Sequence, residues 1–135
     1  VALTDPRCRV GVIADGHHLA PEVLRLVLAA ARERTIVVSD AVAPAATGDG
    51  PAVVRGRRVR VDGGRVTLED GTLAGSATLL EGARGRRGGR GVARAGAWPA
   101  GARAPARLLG LGPHDLRPGS AARAIVLDDR WEVVS

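Results

Sequence analysis

The chain has 135 residues, which is enough for one ordinary domain with a buried core. All 20 basic residues are arginine, and seven of them lie in residues 84–107 without any acidic residue, so the net charge of +6 belongs to one segment. The single cysteine, Cys8, excludes an internal disulfide framework and a cysteine-based metal site. We expect neither a signal peptide nor a membrane-spanning segment, since these residues include no apolar run of the required length. We expect a cytoplasmic protein with no membrane partner and, because residue 1 is not Met, a fragment.

The first predicted element is a βαβ unit. Short apolar runs at residues 10–14 and 36–38 flank a predicted helix over 21–34, whose apolar residues recur at helical spacing. Pro21 suits the first helical position. Parallel strands bring the residues that follow them to the same edge, where α/β proteins bind ligands. We therefore expect Asp15-Gly16-His17-His18 and Ser39-Asp40-Ala41 to face one cleft.

The next segments predict antiparallel strands. Residues 52–55, 58–61 and 65–68 are short strand-like runs broken by glycine turns, as in hairpins. Residues 124–127 and 131–134 predict another hairpin, and the two β portions are candidates to pair with each other. The glycine-rich residues 84–103 should be disordered on their own, and residues 105–111 end a helix at Gly110.

Several of these short sequence motifs occur together in a known protein family. The chain resembles N-acetylglucosamine-6-phosphate deacetylases in the order and spacing of five motifs. These are residues 11–18, Ser39-Asp40-Ala41, 68–76, 105–111 and 116–128. The resemblance covers residues 3–83 and 104–134. It implies an α/β fold that comprises the last two β/α units of a metal-dependent (β/α)8 amidohydrolase barrel, plus part of a small β domain.

The resemblance divides the chain into four segments. They are 1–51, the C-terminal part of the barrel; 52–68, a β-hairpin segment; 69–111, a substrate loop and terminal helical region; and 112–135, the C-terminal strands of the small β domain. Within the third segment, residues 83–104 depart from the family by being rich in Arg and Gly. A compensated frameshift in G/C-rich DNA is our hypothesis for that departure.

The predicted catalytic residue is Asp40. It matches the family carboxylate at the end of the last barrel strand, which acts as general base toward a metal-bound water and then as acid toward the leaving amine. From the pattern alone, an Asp that merely caps the loop is an equal alternative.

The predicted substrate-binding residues fall in two segments. His18 matches a histidine that contacts the amino-sugar phosphate, and Asp15, Gly16 and His17 complete that turn. Leu73, Ala74 and Gly75 match a loop that touches the sugar. Without the resemblance, the two histidines would be ordinary loop residues and residues 73–75 a plain turn before a helix.

The resemblance also implies a divalent metal, zinc or similar, in the intact enzyme. Its ligands, a glutamate and two histidines from earlier barrel strands, have no counterpart in this chain, so we expect the isolated chain to be inactive. The implied substrate is N-acetylglucosamine 6-phosphate, and the implied intact enzyme is a homo-oligomer. Two alternatives remain: another amidohydrolase reaction, and a nucleic-acid-binding module centred on residues 84–107. The second is disfavoured because that segment offers only Trp98 for base stacking.

Overall fold

A computed structural model describes residues 1–45, 47–79, 99–111, 118–119, 126–127 and 133–134. Of residues 84–103, which we predicted to be disordered, 84–98 lie outside the described residues, as do the residues that connect the strands of the last predicted hairpin. The prediction is wrong for residues 99–103, which form a helical turn with Ala100 buried. None of the described helices is long and apolar enough to cross a membrane.

The predicted βαβ unit is confirmed. Strand β1 (Val10–Ile13), helix α1 (Pro21–Ala31) and strand β2 (Thr35–Val38) follow one another, and β1 pairs with β2 in parallel. The helix ends earlier than predicted because Arg32–Arg34 tighten into a 3₁₀ turn. The buried Thr35 hydroxyl donates a 2.9 Å hydrogen bond to the Ala31 carbonyl, which satisfies an orphan group of the helix end.

The first core lies between α1 and the two parallel strands. It contains Val12, Ala14, Leu24, Val27, Val37 and Ala100. Not every apolar residue of the helix is buried, since Val23 remains 44% exposed. Ala100 belongs to a π-helical turn, Pro99–Arg103, that leads into helix α2 (Ala104–Leu108).

Helix α2 ends at the predicted glycine. Gly110 has φ +67°, its N–H donates to Arg107 O, and the Leu111 N–H donates to Ala106 O at 2.9 Å. This pair of bonds is a Schellman motif, in which a left-handed glycine satisfies the last helical carbonyls. The predicted stop at Gly110 is therefore confirmed.

The middle of the chain forms a four-stranded antiparallel sheet in the order β3 (Gly50–Val54), β4 (Arg57–Asp62), β5 (Arg65–Leu68) and β6 (Leu73–Ser76). The three predicted strand runs are confirmed with small shifts at their ends. Gly63 and Gly64 both have positive φ, as the tight turn between β4 and β5 requires. Val59, Val61 and Val66 form the second core.

Strand β6 corrects one prediction, since we expected Leu73, Ala74 and Gly75 to form a loop or a turn before a helix. They belong to a strand instead: Leu73 pairs with Thr67 and Gly75 with Val66 in β5, and Ala74 lies at the register shift between these two pairs. A hydrogen bond from the Leu68 N–H to Thr72 O, 2.9 Å long, closes the turn before them, so the chain runs back antiparallel to β5. A compact turn of this kind favours a strand over a loop.

Two short strands, β7 (Val126–Leu127) and β8 (Val133–Val134), pair antiparallel and confirm the last predicted hairpin. Among the described strands they form a sheet of their own, so the expected pairing of the two β portions is wrong for these residues. Both edges of the larger sheet have features that disfavour an added strand. Pro51 in β3 lacks an N–H, and β6 is bridged by Ala41.

Candidate active site

The site lies where the two parallel strands end. Ile13 is the register partner of Val38, so Asp15 and Asp40 follow β1 and β2 at the same edge. This arrangement is the one that the βαβ pattern predicted. Asp40 itself has φ +51°, an uncommon left-handed conformation for a residue other than glycine.

Asp15 organises the turn after β1. Its Oδ1 accepts hydrogen bonds from the His17 N–H at 2.9 Å and from the His18 N–H at 3.0 Å. Its Oδ2 lies 2.9 Å from Nδ1 of His18. The turn needs Gly16 at φ +85°, where a side chain is disfavoured. The Asp15 side chain is only 1% exposed, so both of its oxygens are used inside the protein.

The electrostatics of Asp15 follow from these contacts. Burial by itself raises the pKa of a carboxyl group, because it disfavours the charged form. The backbone N–H groups of His17 and His18, together with the His18 ring, outweigh burial and lower the pKa of Asp15. Asp15 is therefore an ionised hydrogen-bond acceptor near neutral pH.

His18 connects this turn to Asp40. Its Nε2 lies 3.5 Å from Oδ2 of Asp40, on the side of the ring opposite Asp15. The side chain of His18 is 19% exposed and that of Asp40 is 48% exposed. His17 is exposed and contributes its backbone N–H to the turn. An exposed carboxylate beside a half-buried imidazole can exchange protons with a bound molecule.

Strand β6 brings a second segment to Asp40. The Ser76 N–H donates to Asp40 O at 3.0 Å, and the Val42 N–H donates to Ser76 O at 2.9 Å. Gly75 has φ +127°, and a Cβ built on it would lie 2.7 Å from Cγ1 of Val42 and 3.6 Å from Oδ2 of Asp40. Only glycine fits this approach.

The predicted site residues thus divide into two groups. Asp15, Gly16, His18, Asp40 and Gly75 meet at one place, whereas Ala74 packs on the second core and Leu73 is half-buried. Sequence reasoning did not assign a role to Val42 or Ser76, whose backbone groups tie β6 to Asp40. No sequence signal reveals that bridge, because it uses main-chain atoms.

The metal implied by the resemblance was tested against these side chains. In the described parts of the chain, no group of three or more His, Cys, Asp or Glu residues could hold a metal ion. Asp15 and His18 are occupied with each other, which leaves Asp40 and His17 as the exposed ligand types at this edge, fewer than a metal site needs. The described residues therefore do not fit a metal by themselves.

Comparison with known proteins decides the family. No family model matches the chain. A protein of Escherichia coli K12, provisionally named an N-acetylgalactosamine-6-phosphate deacetylase, is 36% identical over 134 residues, which are 97% of this chain and 80% of that protein. The chain belongs to the family of N-acetylglucosamine- and N-acetylgalactosamine-6-phosphate deacetylases.

Longer members of this deacetylase family agree in sequence and in structure. The N-acetylgalactosamine-6-phosphate deacetylase of Escherichia coli O157:H7 is also 36% identical, and this chain spans 36% of its length. The N-acetyl-D-glucosamine-6-phosphate deacetylase of Mycobacterium smegmatis, solved as an Asp-to-Ala mutant with N-acetyl-D-glucosamine-6-phosphate, superimposes with a TM-score of 0.78 at 28% identity. That match covers 98% of this chain and 36% of the solved chain.

Proposed function

We propose that the chain is the C-terminal part of an amino-sugar-phosphate deacetylase, which hydrolyses the acetamide of N-acetylglucosamine 6-phosphate or its galactosamine isomer. The observation that carries the proposal is the half-exposed carboxylate of Asp40, held beside His18 at the edge where the parallel strands end. The family supplies the substrate class, since its named members act on these two sugars.

The proposed organisation follows the longer relatives. Residues 1–51 supply the last two β/α units of a (β/α)8 barrel, and the antiparallel strands supply part of a small β domain. In such barrels the loops at the carboxyl ends of the strands carry the active site, and Asp15 and Asp40 follow two parallel strands here. We further propose a cytoplasmic homo-oligomer, in keeping with a catabolic enzyme of amino sugars.

In the proposed reaction, Asp40 moves one proton. Water attacks the acetamide carbon and gives its proton to the Asp40 carboxylate. The C–N bond then breaks, and Asp40 returns that proton to the leaving nitrogen, so the products are the amino sugar phosphate and acetic acid, which keeps the second proton of the water until it ionises to acetate. One carboxylate can do both steps because about half of its side chain is open to solvent and it regains its charge at the end.

Substrate binding is proposed for the residues around Asp40. His18 presents a ring nitrogen to the cleft, and Gly75 lets the backbone of β6 come close to a bound sugar. His17 is exposed beside them and can reach a ligand. Leu73 and Ala74 are half-buried residues of the same strand, β6. The proposed divalent metal, zinc or similar, requires ligands beyond the described residues, and the isolated chain should accordingly be inactive.

The nucleic-acid alternative has no support. The relatives found are deacetylases. The described end of the arginine-rich segment belongs to the folded protein, because Ala104 is buried and Arg107 pairs with Glu33 at 3.2 Å. Residues 84–98 of that segment lie outside the described part.

A chimera tests the proposed function. Residues 1–135 would replace the matching segment of the Escherichia coli O157:H7 relative, which provides the rest of the enzyme. We expect acetate release from one or both amino sugar phosphates by the chimera and none by residues 1–135 alone. A correctly folded chimera that releases no acetate from either sugar would contradict the proposal. Turnover by residues 1–135 alone would refute the expected inactivity.

A further inference from the structure

Asp15 stands apart from the other proposed site residues because its side chain is closed off from solvent. It is 1% exposed, and three hydrogen bonds within its own turn occupy its two oxygens. A carboxylate in this state has no solvent-facing oxygen to offer a substrate. Its contribution to the site must therefore pass through His18, whose ring is its side-chain hydrogen-bond partner among the described residues.

We propose that Asp15 is a positioning residue that fixes neutral His18 in the tautomer with its proton on Nδ1, so that Nε2 faces Asp40 as a hydrogen-bond acceptor. This inference rests on the proposed function for its role in catalysis. In this role Asp15 does not contact the substrate. It determines which ring nitrogen carries the proton in His18, the residue proposed to contact the substrate.

The tautomer follows from the donor and acceptor inventory. An ionised carboxylate only accepts hydrogen bonds, so the 2.9 Å contact between Oδ2 and Nδ1 requires a proton on Nδ1. Neutral imidazole carries a single N–H. Its other nitrogen, Nε2, is therefore left with a lone pair on the side of Asp40.

The 3.5 Å gap between Nε2 and Asp40 agrees with this pattern. Two acceptors cannot bond to each other, and the gap exceeds the usual hydrogen-bond length of about 2.7–3.2 Å. When Asp40 takes the proton from water, its new O–H can donate to Nε2. The Nδ1–H tautomer thus gives the protonated Asp40 an acceptor at Nε2, which the opposite tautomer would not offer.

The change Asp15→Asn inverts this arrangement without changing the size of the side chain. Two backbone N–H groups point at the Oδ1 position, so the amide oxygen must stay there. The amide NH₂ then replaces Oδ2 and donates to Nδ1. The ring must accept at Nδ1 and carry its proton on Nε2, which is the opposite tautomer. In serine proteases the same kind of exchange produces the wrong histidine tautomer.

Nitrogen NMR of the imidazole rings in the full chain tests the proposal, at about pH 8.5, where imidazole is mostly neutral. We expect the Nδ1–H tautomer for His18 in the native chain and the Nε2–H tautomer in Asp15→Asn. The matched control is Asp49→Asn, since Asp49 also accepts a backbone N–H, from Gly63 at 3.0 Å, but lies outside the site. It should leave His18 unchanged. Exposed His17 serves as an internal reference.

Two results would overturn the proposal: a native His18 with its proton on Nε2, or an Asp15→Asn chain that folds and retains the Nδ1–H tautomer. If Asp15→Asn does not fold, the native spectrum alone decides. The measurement needs neither substrate nor turnover. A failure of the positioning role is therefore distinguishable from a failure of the deacetylase proposal, which acetate release decides.

Discussion

Nε2 of His18 lies 3.5 Å from Oδ2 of Asp40, although the two residues follow different strands of the parallel pair. The contact exists because Asp15 holds the His18 ring from its other side at 2.9 Å. One imidazole thus lies between two carboxylates, the buried Asp15 and the half-exposed Asp40. The two carboxylates have different environments and, in our account, different roles.

Gly75 should tolerate no side chain. In Gly75→Ala the new methyl group would meet Cγ1 of Val42 at 2.7 Å, and φ +127° is strained for any residue with a Cβ. We expect a loss of about 1–3 kcal/mol in the free energy of unfolding. Urea unfolding measures it, with Gly11→Ala as control, since a Cβ at Gly11 meets nothing within 4 Å. Equal stability of the two variants would show that β6 does not approach Asp40 as described.

Acid should destabilise the fold partly through Asp15. Its pKa in the folded chain is below the ordinary value of 3.8, so the ionised form stabilises the fold above that value. That stabilisation is lost as the pH falls through the folded pKa. We expect native stability to decrease more than that of Asp15→Asn between neutral pH and pH values below 3.8. Urea unfolding across this range checks it, and parallel curves would contradict it.

Some acid dependence should remain in Asp15→Asn. The side-chain hydrogen bond from Arg7 lowers the pKa of Asp5, and the Thr72 N–H lowers the pKa of Asp70. Both carboxyl groups are solvent-exposed, so their contribution is screened by water and small. The difference between native and variant curves, rather than either curve alone, isolates Asp15.

Arg34 should hold the first residues of the chain in place. Its guanidinium donates to four backbone carbonyls, those of Ala2, Leu3, Asp5 and Cys8, at 2.6–3.0 Å. A lysine ammonium has three donors on a flexible stem and cannot match this planar pattern. We expect Arg34→Lys to increase amide hydrogen exchange in residues 1–8. The control, Arg32→Lys, changes an exposed arginine in the same turn and should leave exchange unchanged. Equal exchange in both variants would contradict the role of Arg34.

His18→Ala should separate binding from turnover. In the chimera, loss of the ring removes the proposed sugar contact, whereas Asp40 keeps its carboxylate. We therefore expect KM to rise by a larger factor than kcat falls. Steady-state kinetics of acetate release measures both. The opposite balance, with kcat falling more and KM unchanged, would assign His18 to the chemical step alone.

The sequence predicted those elements whose physics is local. The period of the apolar residues predicted α1, the flanking runs predicted β1 and β2, and Gly110 predicted the end of α2. The parallel topology then predicted that Asp15 and Asp40 share an edge. These inferences needed only spacing, turn chemistry and the handedness of the connection.

The remainder depended on tertiary contacts. Residues 73–75 read as a loop because Leu-Ala-Gly has little strand propensity, and their strand forms by pairing with β5 and by the Asp40–Ser76 bond. The sequence did not predict the burial of Asp15 either, since a polar turn residue normally faces water. Its two backbone partners, His17 and His18, are what allow it to be buried.

Asp40→Asn in the chimera tests the central claim most directly, because it keeps the size of the side chain and removes the proton acceptor. The account predicts that the rate of acetate release falls by about 10²- to 10⁴-fold, the usual contribution of general acid–base catalysis, with little change in substrate binding. Asp49→Asn in the same chimera should retain the native rate. Near-normal turnover by folded Asp40→Asn would contradict the assignment of Asp40 as the group that moves the proton.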